Sequence, residues 1–492
     1  MNPTGICNLI IILGISGDLA RKKIMPTLWT LYNKDLLPNN SHVIGFARSN
    51  LTVASLRDKV TPHVNLKNEA EQVKYDRFWM KHVEYVRTGS GTIDEQYASL
   101  NQLIKDKYEL KFARCNRLFY FALPPHVYSD VAKAIKHNAI AHKGAWTRLV
   151  LEKPFGSDLE SSNNLSTQLS ALFSEDQIYR MDHYLGKEML QNILPFRFAN
   201  QVYEPLWNRK SIESVEILFK ESFGTYGRGG YFDKFGIIRD VVQNHLLQAL
   251  VLVAMDEPST LSAQDVRNQK VKLLKSMRTL VKDDVVLGQY VGNLRSAKHE
   301  ESRFGYVDDP TVSNSSQTAT YSLTILHIDN DRWRGVPFVI RAGKAMDLNQ
   351  IEIRIYFKTY PNLYSSNDNG EDPQNILIMR IQPNEAILQR MRFKRPGIEN
   401  ELLESTMSLI YSDKFKNADI VDAYERLLLD IFQNSQVNFV RTDELEEAWR
   451  VFTPVLHQID AGEIKPYHYE FGSSTLKEGD ALLIKYGLIG LI

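Results

Sequence analysis

Two short stretches hold the side chains best suited to chemistry. Arg180-Met181-Asp182-His183-Tyr184-Leu185-Gly186-Lys187-Glu188 gathers acid, base and phenol in one run. His183, Tyr184 and Lys187 suit a phosphorylated sugar, because one ammonium supplies a point charge and the other two supply directional donors. The second stretch, Arg239-Asp240-Val241-Val242-Gln243-Asn244-His245-Leu246-Leu247, reads as a helix with an apolar far side. Asp240, Asn244 and His245 recur there at near-helical spacing and so can face one pocket. Taking hydride from an alcohol carbon requires removing the hydroxyl proton at the same time. A histidine near its ordinary pKa does this best, with a carboxylate behind it to orient the ring and stabilise the imidazolium. His245 is the candidate base, with Asp182 or Asp240 as its carboxylate.

A third constellation points to a nucleotide. Gly14-Ile15-Ser16-Gly17-Asp18 follows an apolar run and opens a helical pattern. Glycine lets the backbone turn sharply, and a helix N-terminus presents unpaired N–H groups to a diphosphate. The spacing is G-x-x-G rather than G-x-G-x-x-G. The next apolar run ends Phe46-Ala47-Arg48-Ser49, with a guanidinium where an NAD site carries a carboxylate. Arg48 would grip a 2′-phosphate that a carboxylate would repel, which favours NADP, and Lys22 and Lys23 add charge nearby. No zinc-like Cys/His spacing occurs, so no metal is expected, and no G-x-S-x-G elbow is present.

These groups need a scaffold. Ile6–Leu13, His42–Ala47, Arg117–Ala122 and Thr147–Glu152 read as buried strands, and Asp18–Tyr32 as a helix between the first two. Strands alternating with helices predict a doubly wound α/β domain over residues 1–180. From Ser211 the pattern changes to SVEILFKES, TATYSLTILHI, PFVIRAG, EIRIYFKTY and NILIMRIQP, with helical blocks at Ile238–Met255 and Asp422–Phe432. Alternation of this kind predicts an α+β domain over 181–492 with a mainly antiparallel sheet, solvated or capped on one side. Tyr364–Pro373 reads as a polar loop.

Composition narrows the class. With 492 residues the chain exceeds one compact core, and 43% hydrophobic and 24% charged residues are ordinary for a soluble protein. Lys+Arg and Asp+Glu are both 59, which argues against nucleic acid or an anionic membrane as partner. Two cysteines, Cys7 and Cys115, cannot staple a chain this long and suggest the reducing cytoplasm. Leu9–Leu13 is too short, and lacks the basic flank, for a targeting segment; no run approaches the roughly 20 apolar residues of a membrane span.

The strings RMDHYLGKE, EKPFG, GRGGYFDKFGIIRDVVQNHLLQ, LGQYVG, RWRGVPFVIRAGKAM and DAYERLLLDIF resemble the glucose-6-phosphate dehydrogenase family, from Leu9 to about Tyr469. The resemblance implies oxidation of glucose 6-phosphate to 6-phosphoglucono-lactone, the oxidative entry to the pentose phosphate pathway. It implies His245 as general base with Asp182 as its partner, and His183, Tyr184 and Lys187 as the phosphate grip. Lys153 would touch both sugar and nicotinamide. Glu221, Asp240 and Lys344 would make further sugar or phosphate contacts, and Gly14, Ser16, Gly17, Asp18, Arg48 and Tyr128 would meet the coenzyme. Members assemble as homodimers or homotetramers through the antiparallel sheet. Ile15 departs from the small residue usual in the turn, and Asn349 and Gln350 from a frequent basic pair. Gly472–Ile492 lacks the Arg and aromatic that hold a second, structural NADP in animal members, although Arg341, Arg354, Arg380 and Arg390 match other parts of that site. The resemblance therefore argues against the second dinucleotide.

Overall fold

The chain forms two sheets, each with its own core, in a computed structural model that describes residues 4–295, 300–360, 374–398, 401–416 and 418–491. The polar loop expected at Tyr364–Pro373 lies outside the described residues. The first sheet contains β1 (Ile6–Leu13), β2 (Ser41–Ala47), β3 (Val83–Arg87), β4 (Arg114–Phe121), β5 (Thr147–Glu152) and β6 (Ile178–Met181). All pairings are parallel, in the order β3-β2-β1-β4-β5-β6. Every β1 residue after Ile6 is buried, as a central strand covered on both faces requires. The strand order reverses between β1 and β4, the point where open α/β sheets bind ligands beyond their carboxyl ends.

This compact unit comprises Met1–Gly186, Ser262–Gln264 and Val421–Leu445. The late segment is part of the core. Helix Ala423–Phe432, capped by the Asp422 carboxylate on the Tyr424 N–H at 2.9 Å, contributes Leu427, Leu428 and Ile431 to the cluster around Ile10, Val43 and Leu118. The helix expected over Asp18–Tyr32 is a π-helical turn, Ala20–Ile24, leading into an α-helix, Met25–Asn33. Pro26 accounts for the change, because it lacks an N–H and fits only the first turn of the new helix.

The second unit comprises Lys187–Leu261, Asp265–Ile420 and Glu446–Ile492. Its strands are β7 (Ile212–Lys220), β8 (Val285–Val291), β9 (Tyr321–Leu326), β10 (Phe338–Gly343), β11 (Gln350–Phe357), β12 (Ile376–Gln382), β13 (Ala386–Lys394), β14 (Leu402–Ile410) and β15 (Tyr467–Glu470). They lie in the order β14-β13-β12-β11-β7-β10-β9-β8-β15. The sheet is mixed, mainly antiparallel, with β7–β10 and β8–β15 parallel. Ser214, Glu216, Ser322 and Thr324, the polar half of the alternation, are all buried. Helices Glu188–Phe198, Ile238–Leu246 and Lys477–Lys485 pack on β12, β10 and β8 and cap the sheet. Among the described residues no helix is long and apolar enough to cross a membrane.

Candidate active site

The turn after β1 is held shut by its own backbone. Gly14 has φ +80°, its N–H donates to the Phe46 carbonyl at 2.8 Å, and the Gly17 N–H closes onto the Gly14 carbonyl at 2.9 Å. A Cβ on Gly14 would strike the Ala122 carbonyl oxygen, so only glycine fits. Ile15 turns inward, fully buried, and fills the space left by the missing side chain of Gly45 on β2. The branched residue thus leaves the outer side of the turn clear. Ser49 Oγ, just beyond β2, donates to Ser16 Oγ at 3.0 Å and ties Arg48 to the turn. Asp18 pairs with Arg21 and, at 2.8 Å, with Lys22, and these two cations hold its carboxyl below the usual range. Lys22 therefore serves the turn. The open backbone, the close approach allowed by Gly14 and the helix that follows fit a dinucleotide diphosphate.

The end of β5 carries a second feature. Glu152 is buried, accepts the Tyr120 hydroxyl, and has its carboxyl pushed up to about 7, chiefly by loss of solvent and also by Asp182. Tyr120 and Lys153 oppose that rise. Tyr128 is fully buried, and its hydroxyl donates to the Glu152 carbonyl at 3.0 Å, fixing the backbone that presents Lys153. Beyond β6, Asp182 is buried and accepts the Tyr184 N–H at 3.0 Å. His183 stacks on Tyr424, with ring centroids 5.6 Å apart and planes 12° from parallel. Gly186 permits this turn to lie against helix Ala423–Phe432, because a Cβ there would meet the Ala423 carbonyl oxygen.

In the second unit, Lys187 precedes helix Glu188–Phe198 and its ammonium donates to Gln382 Oε1, at the end of β12, at 2.8 Å. His245 is buried in Ile238–Leu246, which is π-helical. The Asn244 amide donates to the Arg239 carbonyl at 3.0 Å, and Asn244 Oδ1 accepts the His245 N–H at 2.7 Å. Arg239 is anchored to Asp460. The parallel register of β7 and β10 pairs Gly343 with Lys220, so the next residue of each strand, Lys344 and Glu221, emerge together. Lys344 lies 2.7 Å from Glu221 and 3.4 Å from Asp240, with its ammonium 5.2 Å from the Phe232 ring centroid. Burial works to lower its pKa, but Asp240 and Glu221 outweigh burial and raise it, so Lys344 stays charged.

Arg341, Arg354, Arg380 and Arg390 on this sheet are each matched by an acid. Arg341 pairs with Glu216 at 2.9 Å and donates to the Leu491 carbonyl at 2.8 Å. Arg354 bridges Glu216 and Glu352, Arg380 joins Glu352 at 2.9 Å, and Arg390 faces Glu404 at 3.4 Å. Glu216 and Glu352 are buried. Asn349 accepts the Ser222 N–H at 2.8 Å, and Gln350 helps to hold Glu352. A phosphate arriving among these guanidinium groups would have to compete with Glu216, Glu352 and Glu404.

The profile described as "Glucose-6-phosphate dehydrogenase, NAD binding domain" matches residues 11–192, and "Glucose-6-phosphate dehydrogenase, C-terminal domain" matches 194–488. The chain belongs to the glucose-6-phosphate dehydrogenase family. It is 49% identical to the glucose-6-phosphate 1-dehydrogenase of Ceratitis capitata over 96% of this chain and 88% of that one. Identity to the Caenorhabditis elegans glucose-6-phosphate 1-dehydrogenase is 48%, over 98% and 91%. A solved glucose-6-phosphate dehydrogenase in complex with glucose 6-phosphate superposes with TM-score 0.90 at 40% identity, over 99% of both chains. The chain is therefore an oxidoreductase of this family.

Within this chain, Gly14, Ser16, Gly17 and Asp18 share one turn, with Arg48 joined to it through Ser49. Glu221, Asp240 and Lys344 form one ion cluster. Sequence reasoning passed over Glu152, although it stands beside Lys153 in EKPFG; only burial reveals its altered acidity. It also passed over Gln382, whose lone amide at a strand end carries no charge signal.

Proposed function

We propose that the chain oxidises glucose 6-phosphate to 6-phosphoglucono-lactone, with His245 as general base. The observation that most supports this reading is the TM-score of 0.90, over 99% of both chains, to a glucose-6-phosphate dehydrogenase bound to that sugar. Lys187, His183 and Tyr184 hold the phosphate, and Gln382 steers the Lys187 ammonium. Lys344 stays charged between Glu221 and Asp240 and fixes the sugar hydroxyls. His245 takes the proton from the anomeric hydroxyl, and Asp182 opposes the resulting imidazolium charge. Lys153 orients the sugar against the coenzyme. NADP, when bound, supplies the nicotinamide that accepts hydride from the anomeric carbon. Gly14, Ser16, Gly17 and Asp18 would hold its diphosphate and Arg48 its 2′-phosphate, with Tyr128 steadying the strand end beside Lys153.

One dinucleotide per chain follows from the acid-matched arginines around Glu216 and Glu352. We assign residues 1–180 to coenzyme binding and 181–492 to substrate binding and self-assembly, with Val421–Leu445 of the latter completing the core of the coenzyme unit. Phe393, Leu403 and Met407 on β13 and β14 leave apolar surface exposed at the sheet edge, which supports a homodimer or homotetramer. Two free, buried thiols suit the cytoplasm. The test is nicotinamide reduction followed by absorbance, with glucose 6-phosphate and NADP or NAD in parallel. Absence of turnover with either coenzyme would overturn the reading.

A further inference from the structure

We propose that Arg87 is a second specificity residue, forming with Arg48 a two-guanidinium clamp on the coenzyme's 2′-phosphate. The inference rests on the NADP reading above and concerns a residue outside the glycine turn. β2 and β3 run parallel with Ala47 opposite Arg87, so both strands leave the sheet side by side at their carboxyl ends. Arg48 is the next residue after Ala47, and Arg87 Nε donates to the Arg48 carbonyl at 3.3 Å. That bond uses Nε alone, and among the described residues the two terminal nitrogens of the Arg87 fork have no hydrogen-bond partner.

The surrounding bonds hold both residues to the turn. The Thr88 N–H donates to the Ala47 carbonyl at 3.0 Å, the Tyr85 hydroxyl donates to the Ser49 carbonyl at 2.5 Å, and Ser49 reaches Ser16 at 3.0 Å. Charge provides the second argument. Arg21 is matched by Asp18, Arg57 by Asp76 and Arg117 by Glu109. Among the described residues, no carboxylate pairs with Arg48 or Arg87, and both are exposed. Guanidinium groups borne on adjacent strand ends concentrate positive charge in one place, and a dianionic phosphate ester can accept from both forks. One arginine reads the 2′-phosphate from the end of each strand.

The test uses the full-length protein and measures binding rather than turnover. Adenosine 2′,5′-bisphosphate, 5′-AMP and inorganic phosphate are titrated calorimetrically into wild type, Arg48→Ala, Arg87→Ala, Arg87→Lys and the double alanine variant. The clamp predicts that Arg87→Ala weakens the bisphosphate about 10-fold, the low end for a lost charged hydrogen bond at an exposed site, and leaves 5′-AMP unchanged. Arg87→Lys should recover part of the loss, and the double variant should bind the two nucleotides equally. A bisphosphate affinity unchanged in Arg87→Ala, with wild type still preferring the bisphosphate, would overturn the clamp and leave the NADP reading standing. Equal weakening of bisphosphate and 5′-AMP would also overturn it, showing that Arg87 merely supports the loop. Wild type without preference for the bisphosphate would sink the NADP reading and the clamp together, and binding of inorganic phosphate as tight as the bisphosphate would replace the nucleotide with a simple anion site.

Discussion

Replacing Glu152 with Gln removes a proton-binding site that burial has pushed from 4.5 up to about 7. Burial disfavours the carboxylate, Tyr120 and Lys153 favour it, and Asp182 disfavours it again. The folded pKa lies above the unfolded one, so the contribution to stability is fully present below pH 4.5 and is lost as pH rises through 7. Between those limits the loss amounts to roughly 3 kcal/mol, at about 1.4 kcal/mol for each pH unit. Gln keeps the shape and still accepts the Tyr120 hydroxyl, but it cannot ionise. Glu152→Gln should therefore match wild type near pH 4.5, gain on it up to pH 7, and hold a constant lead above. Urea unfolding of both proteins at a series of pH values reads the gap directly. Infrared difference spectra should show a protonated-carboxyl band in wild type at pH 6 that the variant lacks. A gap that stays level from pH 4.5 to 8 would refute the reasoning, because Glu152 would then titrate alike in both states.

His245→Ala should leave glucose 6-phosphate binding nearly unchanged while turnover falls by roughly 10²–10⁴, the range for a positioned general base; steady-state kinetics with a separate binding titration tests this, and retained turnover refutes it. Lys187→Ala should raise KM for glucose 6-phosphate about 10- to 150-fold with little effect on unphosphorylated glucose. Equal losses for the two sugars would remove Lys187 from the phosphate grip. Calorimetric titration of NADP should saturate at one equivalent per chain, and a second tight equivalent would show that a phosphate can displace Glu216 and Glu352. Glu216→Ala should cost roughly 3–5 kcal/mol by stranding Arg341, lowering Tm without rescue by excess NADP; an unchanged Tm would mean Arg341 finds another partner.

Four of the six strands of the first sheet were legible because buried parallel strands read as unbroken apolar runs: ICNLIIIL and TRLVLE declare β1 and β5 without reference to partners, whereas the short β3 and β6 carry too few residues to do so. The mixed sheet was harder. Alternation located β7, β9, β10, β11 and β12, but parallel pairing of β7 with β10 and of β8 with β15 joins segments far apart in sequence. β13 and β14 escaped notice because their exposed edge faces mix Arg, Gln, Ser and Glu with the apolar residues. The Asp240 and His245 spacing looked only nearly helical, and the π-helical turn explains it: they stand five positions apart, the step of a π-helical hydrogen bond. Sequence marked Arg48 by its contrast with an acid. Arg87, 39 residues on, had no such contrast to reveal it, because adjacency of β2 and β3 is a property of the fold.

The place of Val421–Leu445 within the first unit has a consequence for synthesis on the ribosome. The chain reaches Gly186 with all six strands of the first sheet made, but Leu427, Leu428, Ile431 and Phe439 of its core do not yet exist. From Gly186 to Leu445 there are 259 further residues. At about 5–20 residues per second this takes roughly 13–50 s, during which the nascent domain carries an open apolar flank. A holdase that binds such surfaces would have to act in that interval, and slowing translation beyond Gly186 would lengthen the exposure. For the same reason, a fragment ending at Gly186 would inherit the coenzyme turn without the helix that seals the core beneath it.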